Sequence, residues 1–212
     1  MVSHAVSMDS QPVFPAWPIL SSAPIADSSE FIRGFLEVRE DDSWLLLTST
    51  AVAGERQLWV AWLALQQRSK NDTMRSVGQD GEFLRLIAGT HRISQGFRRA
   101  GLCDGDEGAW LVHLPPSKAI DELPVLDFEA LEQQAETLAE KCGFTLTRER
   151  PQPTAAGLVR LGVFVEDDQV LAELIGKGAK GISGEDIDGV SIENGLLEDF
   201  FIGHIHTSDI YG

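Results

Sequence analysis

Apolar and polar residues alternate along this chain in short segments that predict both helices and strands. Leu58, Trp62 and Leu65 recur at helical spacing, which predicts an amphipathic helix over residues 54–68. Helices are also predicted over 128–141 and over 90–100, where Thr90 is the expected N-cap. Short apolar runs between turn-forming residues predict strands over residues 31–38, 44–48, 83–88, 109–114 and 200–206.

These elements predict one α/β (α+β) domain over residues 30–212, with a mixed β-sheet packed against helices. Helices and strands alternate, although without the regular spacing of βαβ units. Residues 1–29 contain seven serines and four prolines and show little periodicity. Such a segment has too little apolar surface to offset the entropy that ordering costs, so it is predicted to be a disordered or mobile tail.

Composition narrows the class of protein. The 212 residues include 33 Asp and Glu against 17 Lys and Arg, which gives a formal net charge of −16. An acidic protein is not expected to bind nucleic acid over its whole surface. The chain has only two cysteines, Cys103 and Cys142, no apolar run long enough to cross a membrane and no secretory signal pattern. A cytoplasmic protein without a membrane span is therefore expected.

Positive charge is concentrated in one segment, residues 56–99. This segment holds eight Lys and Arg against three acidic residues, a net charge of +5, so the remainder of the chain carries −21. Such an asymmetry is typical of an anion-binding surface. The alternative is that these arginines pair with the many acidic side chains elsewhere in the protein.

The helix predicted over residues 90–100 gathers part of this charge on one face. At about 100° per residue, one set of polar side chains lies within about 120° of arc. This set comprises His91, Arg92, Gln95, Arg98 and Arg99. The opposite face carries Ile93, Gly96, Phe97 and Ala100, and is expected to pack on the core. The free backbone N–H groups at the start of the helix also favour a phosphate.

This helix and its flanks resemble the central motif of a known family. The sequence LRLIAGTHRISQGFRRAGLCDGDEGAWLVHL is similar to a strand, a G-T-R-Q-I-S-x-A helix, a G-[IL]-x-x-G turn and a second strand. That order belongs to the small kinase-binding subunit of the KEOPS complex, the family of the PRPK-binding protein. The upstream AVAGERQLWVAWLALQQRSKNDTMRSVGQDGEFL and the closing LEDFFIGHIHTSDI also resemble this family, so that the similarity covers about residues 31–210. Two departures are that His91-Arg92 stands where the family has Arg-Gln, and Gly96 where it has a residue such as alanine.

The resemblance implies a non-catalytic subunit that needs no cofactor. KEOPS installs threonylcarbamoyl on the adenosine beside the anticodon of ANN-reading tRNAs, and catalysis belongs to its ATPase-like subunit. The small subunit binds the kinase-like subunit of the complex and captures the single-stranded 3′ CCA end of tRNA. A basic face suits such a tail, which proteins hold by neutralising phosphates and stacking bases. The predicted RNA-binding residues are Arg75, Arg85, Thr90, His91, Arg92, Gln95, Arg98 and Arg99.

A subunit of this kind also needs a surface for the kinase-like partner. Leu196, Leu197 and Phe200 form an apolar cluster beside the strand predicted over 200–206, and they are the predicted partner-binding residues. The alternative is that all three belong to the core.

A different function would use the histidines near the end of the chain. On the predicted strand, His204 and His206 would lie on one face, so the alternative is a small metal-dependent hydrolase with an added acidic ligand. Two ligands do not make a metal site, and no metal is predicted. The glycine-rich GKGAKG lacks the order of a phosphate-binding P-loop. No group of residues indicates an active site, which favours a binding protein over an enzyme.

Overall fold

The computed structural model describes residues 13–116, 124–150, 154–163 and 194–208. The described strands are β1 (Ala16–Ser21), β2 (Trp44–Thr48), β3 (Gly108–His113) and β4 (Phe144–Leu146). The described helices are α1 (Ser28–Val38), α2 (Glu55–Lys70), α3 (Gln79–Ile87), α4 (Ile93–Ala100), α5 (Phe128–Lys141), α6 (Ala155–Leu161) and α7 (Asn194–Thr207). The sheet and helices together form a single α+β domain, as predicted.

The four strands form one sheet in the order β2-β3-β1-β4. In its centre, Leu111 of β3 lies opposite Trp17 of β1 on one side and Leu46 of β2 on the other. All three described pairings are antiparallel, so the prediction of a mixed sheet is wrong. Because none of the described pairs is parallel, these four strands need no βαβ crossover, which explains the irregular spacing of the helices between them.

Strand β1 contradicts the prediction that residues 1–29 form a tail. It lies between β3 and β4, and Phe14 and Ile19 beside and within it are almost fully buried. Pro18 is tolerated because its carbonyl points towards β4 and accepts the N–H of Thr147 (2.9 Å). Its missing N–H would point the same way, past the end of the short β4 ladder, so the pairing with β3 loses nothing. Residues 1–12 lie outside the described part.

Helices cover both faces of the sheet. Successive residues of β3 point to opposite faces, so that Trp110 and Leu111 belong to different clusters. Trp110 packs with α2 and α3, whose buried residues include Leu65 and Phe83. Leu111 packs in the smaller cluster, together with apolar residues of α1 and α5.

Three of the predicted strands are helical. Residues 31–38 lie in α1, 83–88 in or next to α3, and 200–206 in α7. Residues 83–88 are buried on every side, so the run shows no amphipathic period that would distinguish a buried helix from a buried strand. The predicted helices over 54–68 and 128–141 and the strands over 44–48 and 109–114 are confirmed. None of the described helices has both the length and the apolar character of a membrane span.

Candidate nucleic-acid interface

The basic helix exists as α4, but Thr90 is not its N-cap. The helix begins at Ile93, with Arg92 in the N-cap position and no side chain capping it. Thr90 is buried in the turn before the helix, where its hydroxyl accepts the N–H of Arg92 (3.2 Å) and donates to Oε1 of Gln95 (2.8 Å). Thr90 and the half-buried Gln95 therefore help to fix the conformation of the turn that leads into the helix.

Three of the predicted RNA-binding arginines are exposed. Arg92 and Arg98 project from α4, and Arg75 lies in the loop that precedes α3. Within the described residues, none of the three forms an ion pair with a carboxylate. Arg56, Arg68 and Arg85 of the same basic segment do form such pairs. Charge pairing thus accounts for part of the asymmetry and leaves these three guanidinium groups available to an anion.

Arg85 contradicts its prediction as a surface residue, because only 1% of it is exposed. Its guanidinium forms an ion pair with Glu82, which is completely buried, and donates to the carbonyl of Thr90 (2.7 Å). Glu82 also accepts a hydrogen bond from Arg68 (2.8 Å) and the backbone N–H groups of Arg75 and Ser76 (3.0 and 3.1 Å). A side chain held in this network cannot reach RNA.

Arg99 is only partly available. Its guanidinium packs directly against Gly162 after α6, and its Nη1 donates to the carbonyl of Ala88 (3.4 Å). Burial lowers the pKa of Arg99, and the positive charge of Arg98 acts in the same direction. His91 is half-buried, with its Nε2 3.3 Å from Nε of Arg92. Arg92, Arg98, Arg99 and His91 together form a basic surface at α4. Within it, Arg99 and His91 are partly buried, and Arg92 and Arg98 are exposed.

The apolar face of α4 is not buried as predicted. Ile93 and Phe97 are 39% and 46% exposed, whereas Gly96 and Ala100 are buried. A Cβ atom at Gly96 would lie 2.9 Å from Cδ2 of Leu84, so α4 packs on α3 through its smallest residues. Small residues four positions apart were the sequence signal for this contact, and it leaves the large apolar side chains on the surface.

Phe97 lines a groove between α1, β2, α3 and α4. The groove has a cavity of about 50 Å³, with Leu84 and Leu102 among its buried apolar lining and exposed Leu36 on the α1 side. An ion pair between Arg39 and Asp80 (2.8 Å) also lines it. Arg92 and Arg98, which have no carboxylate partner among the described residues, and these exposed apolar side chains make the surface of α4 amphipathic, a property that the sequence pattern did not predict.

The histidine pair does not form a metal site. Both residues lie on α7, where positions two apart point in nearly opposite directions. His204 is buried and His206 is exposed, so the strand geometry on which the hydrolase alternative depended is wrong. Among the described residues, no three His, Cys, Asp or Glu side chains are placed to hold a metal ion.

The predicted partner-binding cluster lies in α7. Phe200 is half-buried and packs against the larger core cluster, while its neighbour Phe201 is fully buried. The side chains of Leu196 and Leu197 lie outside the described part of the structure. Partner binding by this segment stays a prediction, with Phe200 contributing to the core.

Comparison with known proteins adds no identification. No model of a known protein family matches the chain, and no curated protein matches it. The described structure therefore defines only the structural class of the protein, which is an α+β domain with a short, exposed basic helix packed beside an apolar groove.

Proposed function

We propose that this protein is a non-catalytic, cytoplasmic subunit of a KEOPS-type tRNA-modifying complex that binds the 3′ CCA end of tRNA. The observation that carries the proposal is the pair Arg92 and Arg98 on α4, which are exposed and free of described carboxylate partners in a protein of net charge −16. The resemblance of the central motif to the small KEOPS subunit supplies the identity of the RNA.

The surface suits a single strand better than a duplex. Arg75, Arg92 and Arg98 provide positive charge for phosphates, and Phe97 on another face of α4 offers an exposed ring on which a base can stack. A flexible single-stranded tail can follow a surface of this size. A duplex presents its bases only in its grooves, and an eight-residue helix beside an acidic surface would have to enter a groove to reach them.

Docking on the kinase-like subunit completes the proposed role. In this view, the protein adds no chemistry and raises the local concentration of tRNA at the catalytic subunit. The first half of α7, with Leu196 and Leu197, is the proposed contact for that partner.

The experiment is a charge reversal with a matched control. R92E/R98E removes two of the three exposed arginines of the predicted RNA-binding set, and K141E/R148E makes the same charge change at α5 and after β4. We expect R92E/R98E to abolish measurable tRNA binding and K141E/R148E to retain most of it. For wild type, three phosphate contacts on a single strand predict that log K falls with log salt at a slope of about −2. Equal weakening by both variants would show a general effect of net charge and contradict the proposal.

A further inference from the structure

Side chains of α3, α4 and α7 form hydrogen bonds to the turn between α3 and α4. Its first three residues are Ala88, Gly89 and Thr90, and Gly89 adopts a left-handed conformation with φ +55°. The carbonyl groups of this turn point into the protein, where those of Ala88 and Thr90 accept side-chain hydrogen bonds and that of Gly89 lies 3.3 Å from the hydroxyl of Thr207. A turn fixed in this way determines where α4 starts and which side chains it exposes.

His204 of α7 makes the central contact. Its Nε2 lies 3.0 Å from the carbonyl oxygen of Ala88 and 3.1 Å from that of Leu161 at the end of α6. Because both neighbours can only accept, Nε2 must carry a hydrogen, which the two carbonyls share. One buried imidazole thus joins α7, the end of α6 and the turn before α4.

The imidazole also fits the shape of the turn. A Cβ atom at Gly89 would overlap the ring of His204, so the ring occupies the space that only a glycine leaves open. Arg99 of α4 donates to the same Ala88 carbonyl (3.4 Å), and Thr207, one helical turn after His204, lies 3.3 Å from the carbonyl of Gly89. These contacts tie the turn to α4 and α7 at once.

The last carbonyl of the turn is held from α3. Arg85 donates from Nη1 to Thr90 (2.7 Å) and to the carbonyl of Ser208 just after α7 (3.4 Å). The opposite edge of the same guanidinium is fixed by the buried carboxylate of Glu82. Arg85 therefore links the turn to the end of α7, as His204 does one turn earlier.

We propose that His204 and Arg85 are positioning residues for the RNA-binding helix, which hold the Ala88–Thr90 turn so that α4 presents Arg92 and Arg98 outward. Neither side chain touches RNA; both act through the turn. The inference about RNA affinity rests on the proposed function, whereas the order of the turn can be measured without any RNA.

The test compares His204→Leu with His204→Gln. Leucine fills the buried site but cannot donate, whereas the amide nitrogen of glutamine can take the place of Nε2. In the free protein, we expect amide hydrogen exchange at Thr90 and Arg92 to accelerate about tenfold in H204L, with α5 unchanged and H204Q close to wild type. The dissociation constant for tRNA should rise about tenfold in H204L and return towards wild type in H204Q.

Three results would overturn the inference: unchanged exchange at the turn in a folded H204L, equal acceleration in α5, or no rescue by H204Q. Should H204L fail to unfold cooperatively, R85K takes its place, since lysine keeps the charge beside Glu82 but lacks the fork that reaches Thr90. Unchanged exchange at the turn in R85K would then overturn it. Failure of the wild-type protein to bind tRNA would refute the proposed function alone, because the exchange measurement still decides whether these residues position the turn.

Discussion

Gly89 and Gly143 both have left-handed backbones, but an added Cβ would overlap a neighbouring side chain only at Gly89. Alanine variants at the two positions therefore separate the cost of backbone strain from the cost of steric overlap. Gly89 has φ +55° and Gly143 has φ +76°, so alanine is disfavoured at both. An added Cβ would strike the His204 ring at Gly89 but would meet no other atom within 4 Å at Gly143. We expect Gly143→Ala to cost about 1 kcal/mol of unfolding free energy and Gly89→Ala about 2–4 kcal/mol.

Chemical denaturation of the two variants measures this difference. The prediction fails if both lose the same stability, since the space at Gly89 would then have no importance. Neither glycine stands out in the sequence, because a position's need for φ above zero and its distance from a ring 115 residues further along the chain are properties of the fold.

At the scale of elements, the basic helix could be predicted from the sequence, but its packing could not. Charge spacing placed Arg92 and Arg98 on a common face, and both are exposed. Arg85, which lay outside this face in a predicted strand, was also assigned to RNA binding, and there the alternative of pairing with an acidic residue proved correct. Helical spacing assigns residues to a face of a helix. The neighbouring element decides whether the small or the large side chains of that face form the contact, and α3 packs against Gly96 and Ala100.

The exposed ring of Phe97 gives a prediction for this helix. If a tRNA base stacks on it, Phe97→Ala should weaken tRNA binding by about 1–3 kcal/mol. Because the ring is 46% exposed, the unfolding free energy should change much less than for a core phenylalanine. Leu63→Ala on α2 is the control, since Leu63 is 44% exposed and belongs to no predicted RNA-binding set. Wild-type affinity in F97A would exclude stacking on this ring.

For the whole molecule, the class was predictable and the connectivity was not. Strong local patterns gave β2, β3, α2 and α5, and their mixture gave the α+β class. Strand β1 was missed because serine and proline dominate the average over residues 1–29 and hide a six-residue strand. Its pairing with β3, more than 80 residues away, stabilises a segment that local composition describes as disordered.

The buried His204 and the half-buried His113 make the stability of the whole protein depend on pH. Burial lowers the pKa of His204 and of His113, which packs edge-on against Trp44. As the pH falls, the unfolded chain therefore protonates these two histidines before the folded chain does. The stability that the neutral histidines contribute is complete above about pH 6.5 and declines as the pH falls below that value. We expect the unfolding free energy of H204Q to fall less between pH 7.5 and pH 5.5 than that of wild type. Parallel losses in both proteins would contradict this assignment.

The proposed function depends on recognition of the single-stranded 3′ end of tRNA. The most direct measurement is the affinity of the wild-type protein for one tRNA with its 3′ CCA end intact and for the same tRNA lacking those three nucleotides, at equal ionic strength. Because the tail supplies both stacking and phosphate contacts, its removal should raise the dissociation constant about tenfold or more. Equal affinity for the two RNAs would contradict the account.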